Sequence, residues 1–283
     1  MTILASDAIK DSYNKEGYII IDNVLSENEV EYLRTVIESE DVKQSLKNIG
    51  ISSIYESVHI TDITLLHPAI KKLAYHPKIV TIVQSLIGEN IQLHHSMFGN
   101  KPPKEESGAV NWHKDYPYWP HTNTDILAVM VPLDHMTPEN GCLQVKPRSH
   151  KEPITCTKYV MDNDTFYSDP RYSHIEITNS KDIKNLLVKT GGVSIHHCLT
   201  THASAPNMSD RPRRVIILQY RADDCYQLAG RLFHDTGTLI AGKKQHLVRC
   251  DVGTIDIPID LQEPDFDIDH PETSWHQDGK NCS

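Results

Sequence analysis

The stretch Asn111-Trp-His-Lys-Asp115 sets an imidazole and a carboxylate two residues apart, so on a strand His113 and Asp115 share one face. A further candidate ligand, His202, lies 87 residues beyond Asp115 in Thr201-His-Ala-Ser-Ala-Pro-Asn207. Two neutral imidazoles and one carboxylate form the facial triad of non-haem Fe(II), which leaves adjacent coordination positions for a co-substrate and dioxygen. Zinc suits the same ligand types but brings no redox chemistry.

Spacing of the H-x-D type is weakly specific in a chain with 17 histidines. Trp275-His-Gln-Asp278 repeats it near the C-terminus, where no histidine follows, so His276 and Asp278 read as solvated tail. Neighbouring His196 and His197 must face opposite sides of a strand, and a packed or hydrogen-bonded role is the default for both. For the same reason His197 and Cys198 diverge and make a poor base and nucleophile pair.

The elements that would carry these residues change character along the chain. Residues 1–90 read as a helical portion: two short helices around an extended Tyr18–Ile21, with Ser26 and Glu29 as a capping box and Val30, Leu33 and Ile37 on one helical face. Pro68–Tyr75 and Pro77–Leu86 form a proline-opened helical pair. From Ile91 onward short β-branched or alternating runs take over: Ile91–Phe98, Asp125–Leu133, Cys142–Val145, Gly192–His196 and Arg213–Arg221. Thr137-Pro-Glu-Asn-Gly141 reads as a tight turn, and residues 150–180 as a long insertion. One antiparallel barrel or sandwich domain over residues 1–283, with an acidic tail at 251–283, is the simplest organisation.

Composition narrows the function classes. With 28 basic and 38 acidic residues, net charge is −10, which argues against a broad nucleic-acid-binding surface. The tail alone carries nine acidic residues against one lysine. The longest nearly apolar run, Ile126–Leu133, is far short of the about 20 residues of a helical membrane span. No secretion signal is apparent at the start, and the six cysteines show no CxxC pair, so a reducing, cytoplasmic setting is expected.

In ordered blocks the chain resembles the phytanoyl-CoA dioxygenase-like family of Fe(II)/2-oxoglutarate-dependent oxygenases. The blocks are Glu16-Gly-Tyr-Ile-Ile-Ile-Asp-Asn-Val-Leu-Ser26, Trp112-His-Lys-Asp115, Glu139-Asn-Gly-Cys-Leu143, Pro147-Arg-Ser-His150 and His202-Ala-Ser-Ala-Pro-Asn-Met-Ser-Asp-Arg-Pro-Arg213. The resemblance implies a mainly β fold with flanking helices around a double-stranded β-helix (jelly-roll, cupin-like) core. It implies Fe(II) held by His113, Asp115 and His202, with 2-oxoglutarate and O2 as co-substrates. Arg213 would pair with the distal carboxylate of 2-oxoglutarate, Ser204 would support it, and Lys101 resembles a family lysine near the co-substrate or substrate. A guanidinium fork suits a carboxylate, and alternation groups Arg213 with Val215, Ile217 and Gln219, leaving Arg214 on the other face. Retention of Asp115 favours hydroxylation over halogenation, in which family members carry a small residue there.

Tyr116, Tyr118, Trp119 and His121 follow Asp115 closely and are the expected substrate wall; the segment 158–179 would cover it. Arg148 replaces a usual family glycine, and with Lys101 and Arg171 it tilts the expected small-molecule substrate toward an acidic or phosphorylated group. No extended basic patch suits an acyl-CoA. The competing readings are a noncatalytic metal- and 2-oxoglutarate-binding regulator on the same fold, and a cupin-like isomerase or hydrolase, which has no need of a dicarboxylate anchor. No amphipathic seam indicates an oligomeric state.

Overall fold

The computed structural model describes residues 7–251 apart from 52, 55–58, 105–107, 153–179, 230–232 and 234. Arg171, the segment 158–179, His276, Asp278 and nearly all of the acidic tail therefore lie outside the described residues. In chain order the elements are α1 (Asp7–Glu16), β1 (Tyr18–Ile21), α2 (Glu27–Ile37), α3 (Glu40–Asn48), β2 (His59–Thr61), α4 (Pro68–Leu73), α5 (Pro77–Ile87), β3 (Ile91–Lys101), β4 (Val110–His113), β5 (Ile126–Pro132), β6 (Leu143–Val145), β7 (Lys184–Asn185), β8 (Val193–His197), β9 (His202–Ser204), β10 (Arg213–Ala222) and β11 (Thr238–Ala241).

The strands pair antiparallel into two sheets, one in the order β1-β8-β5-β10-β3-β11 with β2 added to β3, the other β4-β9-β6-β7. This is the jelly-roll core with flanking helices that the family resemblance implied, and it agrees with the antiparallel strand pattern. No helix among the described residues is long and apolar enough to cross a membrane.

Alternation along the strands divides the large sheet into two faces. Ile216, Leu218 and Tyr220 of β10 join Leu127, Val129 and Val131 of β5 and the apolar stripes of α2, α4 and α5 in one core. Val215 and Ile217 point the other way and pack with Ala128, Met130, Leu143 and Val145 between the sheets. The helices hold that outer face as their sequences dictate. Ser26 and Glu29 close the capping box of α2, and Pro77 opens α5, which ends at Gly88.

Several short elements escaped the sequence pattern, among them α3, capped by Ser39, and β4 and β9, which carry two candidate ligands. In β4 and β9, four and three residues hold too little periodicity to be read alone. β3 also runs beyond the expected Ile91–Phe98 to Lys101, because Lys101 pairs with Arg213 in the ladder.

Candidate metal and oxoacid site

β4 and β9 are neighbours in the small sheet, and their register sets His113 directly opposite His202. The two rings stand 4.1 Å apart between centroids. Asp115 reaches them by a route the sequence did not indicate. β4 ends at His113, and Asp115 follows in helical backbone (φ −72, ψ −42) at the start of the short 3-10 turn Tyr116–Tyr118. Its backbone N–H is held by the Cys198 carbonyl at 3.0 Å, which anchors the bend. A bend, and not a shared strand face, thus brings Asp115 beside His113.

Hydrogen bonds fix which ring nitrogens are bare. His113 Nδ1 lies 2.7 Å from the Asn111 carbonyl and His202 Nδ1 2.8 Å from the Thr200 carbonyl. A carbonyl only accepts, so both rings carry their proton on Nδ1 and leave Nε2 as a lone pair. Those Nε2 atoms lie 3.6 and 3.5 Å from the same oxygen, Asp115 Oδ1. Burial, and next His113, push the His202 imidazole down to about 3, which keeps it neutral. Three lone-pair donors converging within 4.8 Å have no reason to gather without a cation between them.

The other carboxylate oxygen, Asp115 Oδ2, is kept in place by Gln219 Nε2 at 3.2 Å and His196 Nε2 at 3.4 Å. Of the adjacent histidines on β8, His196 is therefore the one turned toward His202, with ring centroids 4.5 Å apart. A packed or hydrogen-bonded role was the expectation for His196, and its parity with Ser194 on the inner face of β8 is the signal that singles it out.

A second polar cluster sits two residues along β9. Arg213 Nη2 donates to Ser204 Oγ at 2.8 Å and to the Gly141 carbonyl at 2.9 Å. Lys101 Nζ donates to the Ser204 carbonyl at 3.1 Å, and also to Ser204 Oγ and the Ala205 carbonyl. The Gly141 carbonyl reaches Arg213 because residue 141 turns with φ +72, and a Cβ there would collide with the Ala205 backbone. Asn140 holds that turn by accepting from Thr137 N–H at 2.8 Å.

Both cations are buried, and among the described residues neither has a carboxylate within 4.0 Å. Burial, and then the Arg213 charge, push Lys101 down to about 6; burial lowers Arg213 only to about 10, so it stays charged. Arg213 Nε has no hydrogen-bond partner among the described residues. An anion is the missing partner. Ser204 is two residues from His202, about 7 Å along a strand, which suits a short dicarboxylate reaching from the triad to this pair. Arg214 faces outward and pairs with Asp134 and Glu38, as its parity required.

The donor set fits Fe(II), and the acid-free cation pair fits the distal carboxylate of 2-oxoglutarate. A family model described as phytanoyl-CoA dioxygenase (PhyH) matches residues 13–215. The chain belongs to the phytanoyl-CoA dioxygenase family. A probable alpha-ketoglutarate-dependent hypophosphite dioxygenase of Stutzerimonas stutzeri is 32% identical over 234 residues, covering 77% of this chain and 79% of the relative. The ectoine dioxygenase of Sphingopyxis alaskensis is 24% identical over 235 residues, covering 75% and 74%. Among solved structures, apo ThoJ, a non-heme monooxygenase, superposes with TM-score 0.67 at 20% identity over 83% of this chain and 84% of that one. As a member of this family the chain carries out Fe(II)- and 2-oxoglutarate-dependent oxidation of a small molecule.

Beside the triad lies a cavity walled by His95, Met97, Tyr118, Trp119, Gln219 and Phe233. Of the four expected wall residues, Tyr118 and Trp119 are there. Tyr116 and His121 are not: Tyr116 is buried beneath, donating its hydroxyl to the His121 carbonyl at 2.5 Å, and the His121 ring binds the Trp119 carbonyl at 2.6 Å. Their polar atoms turned to the backbone of their own loop. Arg148 is also remote from it. Its φ of +68 explains the usual family glycine, and its side chain, 68% exposed, lies 4.0 Å from Glu16. His95, Met97 and Phe233 on this wall were not expected from the sequence; the first two share the parity of Lys101 on β3.

Proposed function

We propose that this protein hydroxylates an unactivated C–H bond of a small molecule, with release of succinate and carbon dioxide, and that the chain acts as one catalytic unit in the cytoplasm. The carrying observation is the convergence of two bare Nε2 atoms and one carboxylate oxygen on one side of an acid-free Arg213/Lys101 pair. His113, Asp115 and His202 would hold the iron, which with 2-oxoglutarate and dioxygen supplies oxidising power that no side chain has.

The chain's own residues do the rest. Arg213, Ser204 and Lys101 bind and orient the distal carboxylate. Gln219 and His196 hold Asp115 Oδ2, which leaves Oδ1 facing the two ligand imidazoles. Trp119, Phe233 and Met97 exclude water from the cavity and bring the substrate's C–H bond to the open side of the triad. Four described cysteines, Cys142, Cys198, Cys225 and Cys250, are free thiols, which supports a reducing compartment.

An acidic or phosphorylated substrate was the expectation from Lys101, Arg148 and Arg171, and the hypophosphite relative favours the same class. Of these cations, Lys101 serves the oxoacid pocket and Arg148 lies at the surface, so that class of substrate rests on the relative and on Arg171, which is outside the described residues.

Loading with Fe(II) and 2-oxoglutarate without oxygen, then admitting oxygen with a metabolite library, tests the function. The expected result is succinate release stimulated by a substrate that itself gains one oxygen atom. Tight Fe(II) and 2-oxoglutarate binding with no stimulated succinate across the library would instead support the noncatalytic regulator.

A further inference from the structure

Two buried polar atoms on the cavity wall, His95 Nε2 and Gln219 Oε1, have no hydrogen-bond partner among the described residues. Their protonation follows from the network behind them. Gln227 Nε2 donates to the Ala229 carbonyl at 2.9 Å and the Phe233 carbonyl at 3.1 Å, so Gln227 Oε1 is the atom facing His94 Nε2 at 3.1 Å. That oxygen can only accept, which puts the His94 proton on Nε2 and leaves His94 Nδ1 a lone pair. The 2.5 Å contact between His94 Nδ1 and His95 Nδ1 then requires the proton on His95 Nδ1. Burial, with His94 beside it, holds His95 neutral. His95 Nε2 is therefore an acceptor.

Gln219 is fixed by the same reasoning, because its Nε2 donates to Asp115 Oδ2 and its Oε1 is left over. The two residues are cross-strand partners in the β3/β10 ladder, so both acceptors belong to one wall. A register shift immediately after this pair makes His94 the extra residue of a bulge, which lets consecutive histidines meet instead of facing opposite sides. Trp119 and Phe233 flank the His95 ring at centroid distances of 6.0 and 4.5 Å.

We infer that the substrate presents a hydrogen-bond donor, an N–H or O–H on a neutral or cationic group, to the paired acceptors His95 Nε2 and Gln219 Oε1 beside the triad. An anionic group at the same place meets two lone pairs. Aromatic faces on either side suit an ammonium or hydroxyl-bearing carbon and add nothing for an anion. The inference rests on the proposed oxygenase reading for the site's purpose, and it departs from an oxyanion substrate of the hypophosphite kind.

The test uses the full chain loaded anaerobically with Fe(II) and 2-oxoglutarate. It is titrated with n-alkylamines and n-alkanols from propyl to octyl, with the matching carboxylates and phosphonates, and with hypophosphite, and binding is followed by ligand-observed NMR. Amines or alcohols should bind about tenfold or more tightly than their anionic counterparts, and His95→Phe should erase that preference while leaving the 2-oxoglutarate Kd unchanged. Independently, 15N imidazole spectra of the metal-free protein should show His95 protonated on Nδ1, its signal assigned by its loss in the variant. If His95→Phe does not fold, the wild-type titrations still decide. An Nε2-bound proton on His95, equal or tighter binding of the anions, or a panel to which nothing binds overturns the inference. Failure of the oxygenase reading shows separately, as absence of 2-oxoglutarate binding or succinate release.

Discussion

On β10, Ile216, Leu218 and Tyr220 turn toward the helices while Arg213, Val215, Ile217 and Gln219 turn into the barrel, and both sets are buried. The outward set is complete in itself: the aliphatic chains pack on α2, α4 and α5, and the Tyr220 hydroxyl donates to the Ala74 carbonyl at 2.9 Å. The inward set is incomplete, with Arg213 Nε and Gln219 Oε1 both without a hydrogen-bond partner among the described residues. Burial alone does not separate stability from chemistry on this strand. Unmet polarity does, because a protein bears the cost of burying an unpaired polar group where a ligand later pairs it.

Substitutions on the two faces should therefore fail in different ways. The largest effect belongs to the inner side. Asp115→Ala should reduce substrate-stimulated succinate to background and abolish Fe(II) retention, while thermal unfolding of the metal-free protein changes by no more than about 1 kcal/mol. Equal loss of fold and activity would erase the distinction between faces. Leu218→Ala on the outer face should cost about 2–5 kcal/mol in denaturant unfolding and leave the 2-oxoglutarate Kd of the folded fraction unchanged.

Arg213→Met should weaken 2-oxoglutarate by about 2–3 kcal/mol, seen by calorimetry on the anaerobic Fe(II) protein, with Fe(II) affinity retained. Retained oxoacid affinity would place the anchor elsewhere. His196→Phe should lower Fe(II) affinity by about 10- to 100-fold, since it removes one of the two groups holding Asp115 Oδ2.

The smallest effect is a pH dependence. Lys101 titrates at about 6 in the ligand-free fold against 10.5 in the open chain, so the unfolded chain binds more protons between these values. Stability of the ligand-free protein should thus rise with pH across that window as the Lys101 penalty disappears. Binding of the 2-oxoglutarate carboxylate raises the Lys101 value again. Its Kd should therefore weaken as pH climbs above about 6, by up to about tenfold per unit, and flatten in Lys101→Met.

Much of the site was legible before any fold was known, because strand parity is a local property. It put Arg213 and Gln219 on one face and Arg214 on the other, and the same period links His95, Met97 and Lys101, although only Lys101 was singled out. The capping box of α2 and the proline-opened α4 and α5 were equally local. Asp115 shows where locality ends: its approach to His113 depends on the Cys198 carbonyl, which holds its backbone across the barrel. Tyr116 and His121 show it again, since sequence nearness to Asp115 says nothing about which way a 3-10 turn points a ring.

The amino-acid sequence determined the chemistry available to this protein, in that residue types, the H-x-D spacing and the family resemblance named the metal ligands and the oxoacid arginine. Tertiary structure alone decided which polar atoms are left over. Whether Lys101 is a solvated turn residue or a buried anchor, and whether His95 offers a proton or a lone pair, depends on partners from distant strands and loops. Hydrogen-bond satisfaction is counted across the whole fold, and a linear pattern holds no record of it.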